Sequence, residues 1–282
     1  MTAYLVYDVF TDTPFGGNQL AIFTDAEALP QDKLQAIAAE FNFSEVTFVY
    51  PPDDLRHTAK VRIFTPTLEL PFAGHPIIGT AIALADIGFP PKMTLELGIG
   101  PVPCTVANGR AQFTTTAPLT RDAKPDTALV ARALGLTVDD INTEHHTPVQ
   151  AGLGVAFVIT ELSNRDALSR CQPDINAMRD GAARYPGSLD FAILAYVVEG
   201  DLIHARMFAP LENIPEDPAT GSAAAALAAL LCDLTGEIQD LTIHQGFQMG
   251  RPSVIHARAD ASGVTISGQA VRVMEGQFLG HN

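Results

Sequence analysis

Short runs of β-branched and aromatic residues with partial apolar–polar alternation recur along the chain and predict strands. The runs lie at 4–10, 19–23, 45–49, 59–64, 93–97, 111–115, 156–160, 191–198, 202–208, 254–257 and 263–267. Turn signals such as Asn108-Gly109 and Glu199-Gly200-Asp201 separate several of them, which favours mostly antiparallel sheet over alternating β–α units. Helical patterns are fewer. Residues 31–41 carry Leu34, Ile37, Ala38 and Phe41 on one stripe, the pattern of a surface helix with one buried face. Residues 76–87 and 219–231 are apolar or small nearly all round, so both are expected to be buried on every side within surrounding sheet.

The contexts of those two helices repeat. Arg62-Ile63-Phe64-Thr65-Pro66 precedes His75-Pro76-Ile77-Ile78-Gly79-Thr80-Ala81, and Arg206-Met207-Phe208-Ala209-Pro210 precedes Asp217-Pro218-Ala219-Thr220-Gly221-Ser222-Ala223. Matched order and spacing predict an internal duplication, with each half a strand-rich roll around one central helix. The expected division is 1–122 and 123–282, with the last residues packing back on the first half. It also pairs His75 with Asp217 as equivalent helix starts, placing residues 76–85 on 218–227. Pro at a first helical position would make His75 and Asp217 the N-caps. Asp is a preferred cap and His is not, so His75 asks for a further role. Helix N-termini favour anions, and Gly74 and Gly221 allow a ligand to approach the backbone. With the halves related by a pseudo-two-fold axis, both starts are expected to face one cleft and hold a substrate carboxylate.

Two further segments carry chemistry. Glu45 opens a strand among Phe43, Val46 and Phe48, surroundings that raise a carboxyl pKa and suit it to acid/base work. Asn18 follows the glycine turn Phe15-Gly16-Gly17 and can both donate and accept. GxxxxGK[ST], HExxH and GxSxG motifs are absent, and Gly152-Leu153-Gly154 opens no dinucleotide fingerprint. His145, His146 and His244 lack metal-ligand spacing, so no metal or organic cofactor is expected. Proton transfer next to a carbonyl or along a conjugated system is what a Glu, a His and anion-binding amides perform unaided.

Composition narrows the partners. Of 282 residues, 47% are apolar and 17% charged, enough for a substantial core. The net charge of −15 argues against nucleic acid and anionic membrane as partners. No apolar run reaches membrane-span length, and the N-terminal MTAYLVYD carries no basic region leading into a long apolar run, as a secretory signal would. Cys104, Cys171 and Cys232 are odd in number and widely spaced, which predicts reduced thiols in a cytoplasmic protein.

Taken together, these motifs resemble the phenazine-biosynthesis PhzF-like family. The stretches that carry the resemblance are Asp8-Val9-Phe10 with Phe15-Gly16-Gly17-Asn18, Asn42-Phe43-Ser44-Glu45, Arg62-Ile63-Phe64-Thr65-Pro66, Phe72-Ala73-Gly74-His75-Pro76, Glu216 to Ala223, and Gln245-Gly246 with Met249 to Ser253. The resemblance implies an α+β, diaminopimelate-epimerase-like fold of two pseudosymmetric domains, each a mostly antiparallel curled sheet around a central helix, and a homodimer. It implies a cofactor-independent isomerase acting on a small cyclic or amino-acid-like carboxylate, as in isomerisation of a dihydro-hydroxyanthranilate. Glu45 matches the acid/base, and His75, Asp217 and Ser222 match substrate-contacting positions with Gly74 and Gly221 beside them. The expected site has Glu45, His75 and Asp217 as catalytic residues and Asn18, Ser44, Gly74, Gly221 and Ser222 as substrate-binding ones. Ala73 and Thr220 lie where related epimerases carry paired cysteines, which disfavours thiol-based racemisation. Gln19 stands where many members carry proline, which bears on substrate identity. A non-catalytic metabolite-binding protein and an amino-acid epimerase of the same fold are the alternatives.

Overall fold

The computed structural model describes residues 1–280 and divides into two compact units, each with its own strands and buried helix. The first unit contains β1 (Thr2–Val9), β2 (Asn18–Phe23), α1 (Leu34–Phe41), β3 (Glu45–Tyr50), β4 (Ala59–Phe64), β5 (Glu69–Leu70), α2 (Gly74–Asp86), β6 (Lys92–Leu97), β7 (Gly100–Ala107) and β8 (Arg110–Thr115). β1 runs antiparallel to β2, β2 parallel to β3, β3 antiparallel to β4, and β4 parallel to β6. β6, β7 and β8 continue as an antiparallel meander.

Small apolar side chains let α2 lie close against β1, β2, β3, β7 and β8. Every residue from Gly74 to Leu84 is buried. A Cβ on Gly79 would stand 2.6 Å from a Leu20 methyl and 2.7 Å from a Val9 methyl, so a larger residue at this crossing would force those side chains to shift. α1 covers a different face: Leu34, Ile37 and Ala38 pack with Phe23, Val46 and Phe48. β3 is therefore sandwiched. Val46 and Phe48 point toward α1, while Thr47 points toward α2 and shares a 3.0 Å hydrogen bond with Thr80. Strand alternation puts Glu45 on the α2 side with Thr47.

The second unit contains β9 (Thr120–Ala123), α3 (Thr127–Ala133), β10 (Ile141–Asn142), β11 (Val149–Gly152), β12 (Ala156–Leu162), α4 (Arg165–Arg170), α5 (Ile175–Arg184), β13 (Ile193–Glu199), β14 (Leu202–Ala209), β15 (Ile214–Asp217), α6 (Gly221–Thr235), β16 (Gln239–Gln245) and β17 (Ser253–Asp260). β18 (Gly263–Phe278) begins in this unit and belongs to the first from Ile266 onward, where it pairs antiparallel with β1. The division falls at Thr115/Thr116 rather than at 122/123, because β9 pairs with β11 and so joins the second unit.

Helices α3, α4 and α5 were not expected from the apolar pattern. Each is short and starts at a side-chain cap: Asp126 accepts from Leu129 N, Asn164 from Ala167 N, and Asp174 from Asn176 N and Ala177 N. They cover β12, β13 and β14 through Leu129, Leu168 and Met178 against Val158, Ile193, Ala195 and Phe208. α6 instead packs on β11, β12, β16 and β17.

The two units repeat one pairing order. β11–β12 is antiparallel, β12–β13 parallel, β13–β14 antiparallel and β14–β16 parallel, matching β1–β2, β2–β3, β3–β4 and β4–β6. Four observations set the register between them. Arg62 grips Glu69 with two hydrogen bonds of 2.7 Å, and Arg206 grips Glu216 with two of 2.8 Å. Each guanidinium also stacks on the phenylalanine two residues on, Phe64 at 5.0 Å and Phe208 at 4.8 Å. Strand register pairs Ile63 with Leu70 and Met207 with Asp217. Finally, Gly98 lies tight against Pro71, and Gly246 against Pro218.

This register corrects the match read from the sequence. Glu69-Leu70-Pro71-Phe72-Ala73-Gly74-His75 corresponds to Glu216-Asp217-Pro218-Ala219-Thr220-Gly221-Ser222. Asp217 therefore corresponds to Leu70, and His75 to Ser222. Residues 76–85 do not match 218–227, because Pro218, Ala219 and Thr220 precede α6, whereas Pro76 is already inside α2.

Candidate active site

The first unit gathers Asn18, Ser44, Glu45 and His75 at the start of α2. Gly17 takes a left-handed backbone (φ +61°), and a Cβ there would meet the Val9 carbonyl at 2.3 Å. The buried Asp8 holds the same loop by accepting from Phe15 N at 2.7 Å. Asn18 then opens β2 opposite Val9. Ser44 and Glu45 are set by the end of α1, where Asn42 adopts the left-handed conformation and its N–H returns to the Ala38 carbonyl.

His75 is the second residue of α2, and Ala73 is its N-cap. The expected capping role is therefore not what His75 does. Its ring is 4% exposed, and Nδ1 lies 3.5 Å from both Glu45 Oε2 and Asn18 Nδ2. Ser44 Oγ donates to Asn18 Oδ1 at 3.3 Å, so the four side chains form one connected group. Burial depresses the His75 pKa to about 3, with the Gln19 carbonyl acting more weakly in the opposite direction. The imidazole is therefore neutral near pH 7. Its contact with Glu45 is a long polar contact between a carboxyl and a neutral ring. Nε2 is buried without a hydrogen-bond partner among the described residues.

Helix α2 begins where the Ala73 carbonyl accepts from Ile77 N. Gly74 and His75 sit in its first turn, where backbone N–H groups have no partner within the helix. Pro76 lacks an N–H, so its place in this turn costs the helix no hydrogen bond.

In the second unit, Gly221 and Ser222 open α6 as its first two residues, and Thr220 is the N-cap. Asp217 does not cap this helix. It ends β15, 5% exposed, and its Oδ2 accepts from Thr220 Oγ1 at 2.5 Å. Gln245, 1% exposed at the end of β16, donates to the Asp217 carbonyl at 2.7 Å and to Thr220 Oγ1 at 3.0 Å. Its Oε1 accepts from Thr220 N at 3.2 Å. Gly246 follows with φ +79°, and a Cβ there would meet the Arg251 and Pro218 carbonyls at 2.3 and 2.6 Å.

Of the expected site residues, the structure places Asn18, Ser44, Glu45, Gly74 and His75 in the first unit and Asp217, Gly221 and Ser222 in the second. Thr220 and Gln245 were not assigned a role from sequence. Gln245-Gly246 stood only among the stretches that carry the family resemblance, and no strand was expected before it. Among the described residues, no group of three His, Cys, Asp or Glu side chains is arranged to hold a metal ion, and no helix is long and apolar enough to cross a membrane.

Known proteins match this chain over nearly its whole length. Residues 7–276 fit the family model described as phenazine biosynthesis-like protein. The trans-2,3-dihydro-3-hydroxyanthranilate isomerase of Pseudomonas fluorescens is 36% identical, covering 99% of this chain and 100% of its own. An uncharacterized isomerase of Mesorhizobium japonicum is 38% identical, covering 98% of each. Among solved structures, a predicted epimerase from Pseudomonas aeruginosa superposes with TM-score 0.83 at 28% identity, covering 100% of both chains. A PhzF-family protein of Bacillus anthracis, at TM-score 0.87 and 24% identity over 99% of both chains, shares the fold. The chain is a mixed α/β isomerase and belongs to the phenazine-biosynthesis-like PhzF family.

Proposed function

We propose that this isomerase moves a proton on a small cyclic carboxylate of the dihydro-hydroxyanthranilate class, with Glu45 as the acid/base and no cofactor. The observation that carries the reading is the position of Glu45: it opens a strand on the face turned toward α2, against a neutral buried histidine. Relatives named trans-2,3-dihydro-3-hydroxyanthranilate isomerase, 34–36% identical over 98–99% of this chain, supply the substrate class to try first.

Glu45 takes a proton from a substrate carbon as that C–H bond breaks. Its carboxylic acid then returns the proton to a second carbon of the conjugated system. The double bonds shift between the two events, and no electrons leave the substrate. His75, with Nε2 lacking a hydrogen-bond partner among the described residues, supplies a neutral hydrogen-bonding group to the ligand. The first-turn amides of α2 and α6 at Gly74 and Gly221, with Ser222 and Asp217, provide the remaining polar contacts. Asn18 and Ser44 hold the His75 side of the group in place.

The strand register gives Glu45 no acidic counterpart. Phe64 corresponds to Phe208, and the β3–β4 and β13–β14 pairings then set Val46 opposite the role of Ile193 and Glu45 opposite that of Ala192. One base that both removes and returns the proton fits isomerisation better than epimerisation by two opposed bases. Ala73 and Thr220 at the two helix N-caps, in place of a thiol pair, favour the same choice. The finer fold reading goes with it: two pseudosymmetric, diaminopimelate-epimerase-like domains, assembled as a homodimer.

The test is to supply trans-2,3-dihydro-3-hydroxyanthranilate in D2O and follow product and deuterium content by NMR. Turnover that Glu45→Gln abolishes supports the reading. Binding without turnover or exchange in the wild type would leave a metabolite-binding protein instead.

A further inference from the structure

The two units build the same turn before their buried helices from different chemistry. In the first, the residues at the places of Asp217, Thr220 and Gln245 are Leu70, Ala73 and Leu97. The last follows from the register, because Lys60 pairs with Glu96 as His204 pairs with His244. An apolar set thus brings the chain into α2, with Gly98 against Pro71 just as Gly246 lies against Pro218. The turn itself needs no hydrogen-bonded side chains.

The second unit nevertheless buries a fully engaged polar chain at that point. The Gln245 amide uses Oε1 on Thr220 N and Nε2 on both the Asp217 carbonyl and Thr220 Oγ1. Since Nε2 donates to the threonine hydroxyl, that hydroxyl's own proton is directed at Asp217 Oδ2. Burying such groups is unfavourable unless each is matched, and the first unit shows an apolar alternative. The side chain that gains is Asp217.

We infer that Thr220 and Gln245 are positioning residues that aim the Asp217 carboxylate at the substrate. This rests on the proposed function for its ligand, but not for the geometry it predicts. Thr220 sets the rotamer of Asp217 by donating to one oxygen, which directs the other. Gln245 fixes the hydroxyl rotor of Thr220 and the backbone at both ends of the Asp217–Thr220 turn. Both residues act through Asp217 and not through the proton carrier, so loss of the relay weakens binding more than the proton-transfer step.

The test uses three variants of the full chain: Thr220→Ala and Gln245→Leu, which install the first unit's residues, and Thr220→Ser, which keeps the hydroxyl. With trans-2,3-dihydro-3-hydroxyanthranilate, Thr220→Ala and Gln245→Leu should raise KM about tenfold with kcat within about threefold, the effect of losing one buried orienting hydrogen bond. Thr220→Ser should recover the wild-type KM. A crystal structure of ligand-free Thr220→Ala should show the Asp217 carboxylate rotated from its wild-type orientation. An unmoved carboxylate there overturns the inference, as does an unchanged KM in an active enzyme. Should Thr220→Ala fail to fold, Gln245→Leu carries both measurements. A wild type that does not turn over the compound defeats the functional reading alone, and the orientation of Asp217 then decides this one.

Discussion

His75 Nδ1 lies 3.5 Å from Glu45 Oε2, yet the pair is not a salt bridge in the working range of pH, because burial holds the ring neutral down to about pH 3. The contact has a consequence for acid stability. An unfolded histidine takes up a proton below its ordinary value of 6.5, whereas the folded one does so only near 3. The unfolded state therefore binds more protons in that window, and stability falls as pH drops through it, by at most about 1.4 kcal/mol per unit. Above pH 6.5 this contribution is fully retained. His75→Gln removes the titration, so the variant should lose about 2 kcal/mol less than wild type between pH 7 and 5 in urea unfolding. Parallel pH profiles for the two proteins would show that the ring is not held neutral by the fold.

Glu45 is expected to govern the chemical step. Replacing it with glutamine keeps shape and hydrogen-bonding capacity but removes the proton acceptor. Turnover should fall by ~100- to 10,000-fold, as for other positioned acid/base residues. Ligand affinity by calorimetry and the melting temperature should stay close to wild type. Near-normal turnover with continued exchange of solvent deuterium would move the role to His75 or Asp217.

Asp217 separates charge from shape. It is the end of a strand rather than a helix cap, so Asp217→Asn keeps an oxygen for the Thr220 hydroxyl and removes only the negative charge. Its effect should appear in KM, with a melting temperature near wild type. Asp217→Leu installs the residue of the first unit and strands the Thr220 hydroxyl, which costs about 1–3 kcal/mol for an unsatisfied buried donor. Thermal unfolding of the two variants distinguishes these effects; equal losses of stability would make the carboxylate a structural group.

Gly246 is required twice over, by its positive φ and by the two carbonyls that a Cβ would strike. Gly250 shares the positive φ, +71°, but has open space around it. Gly250→Ala should therefore cost only the left-handed backbone penalty, about 1–2 kcal/mol. Gly246→Ala adds a clash with backbone at Pro218 and should cost about 1–3 kcal/mol more. It should also disturb the turn that carries Asp217. Denaturant unfolding of both proteins measures the difference, and similar values would mean that the loop shifts freely.

The elements legible in the sequence were strands rich in β-branched residues, such as β4 with Val61 and Ile63 and β13 with Ile193, Val197 and Val198, and the two all-apolar helices. β7 escaped because Pro101 and Pro103 break its pattern, although both face its pairing with β6 without ending it. The α3–α5 layer escaped because its helices are short, where propensity is a weak guide and the signal lies in single capping residues. The cluster of Asn18, Ser44, Glu45 and His75 could be named from motifs but not assembled from them, since its members come from three separate segments. The repeat misled in one respect. Its H/D-P-x-x-G match is a coincidence of spacing, whereas the true register runs through Glu69 and Glu216, which mean nothing until the arginines are seen to hold them.

Those two arginines offer the sharpest comparison between the units. Both make the same bidentate pair and the same aromatic stack, but their surroundings differ. Arg206 is 8% exposed, and its Nη1 also donates to the carbonyls of Leu168, Ser169 and Cys171, tying β14 to the end of α4. Arg62 is partly exposed and uses Nη1 on the side chain of Gln31. Removing Arg206 leaves the largely buried Glu216 without its partner and takes one donor from each of the three carbonyls, a change of the kind that costs about 3–5 kcal/mol. Removing Arg62 exposes Glu69 to water that already reaches it, and should cost about 1 kcal/mol or less. Arg206→Ala should therefore lower the urea midpoint far more than Arg62→Ala. Arg206→Lys should recover little of it, since a lysine cannot pair with the carboxylate in two places while serving the carbonyls. Equal destabilisation by the two alanine variants would show that the shared pair, not its burial, sets the contribution of this motif.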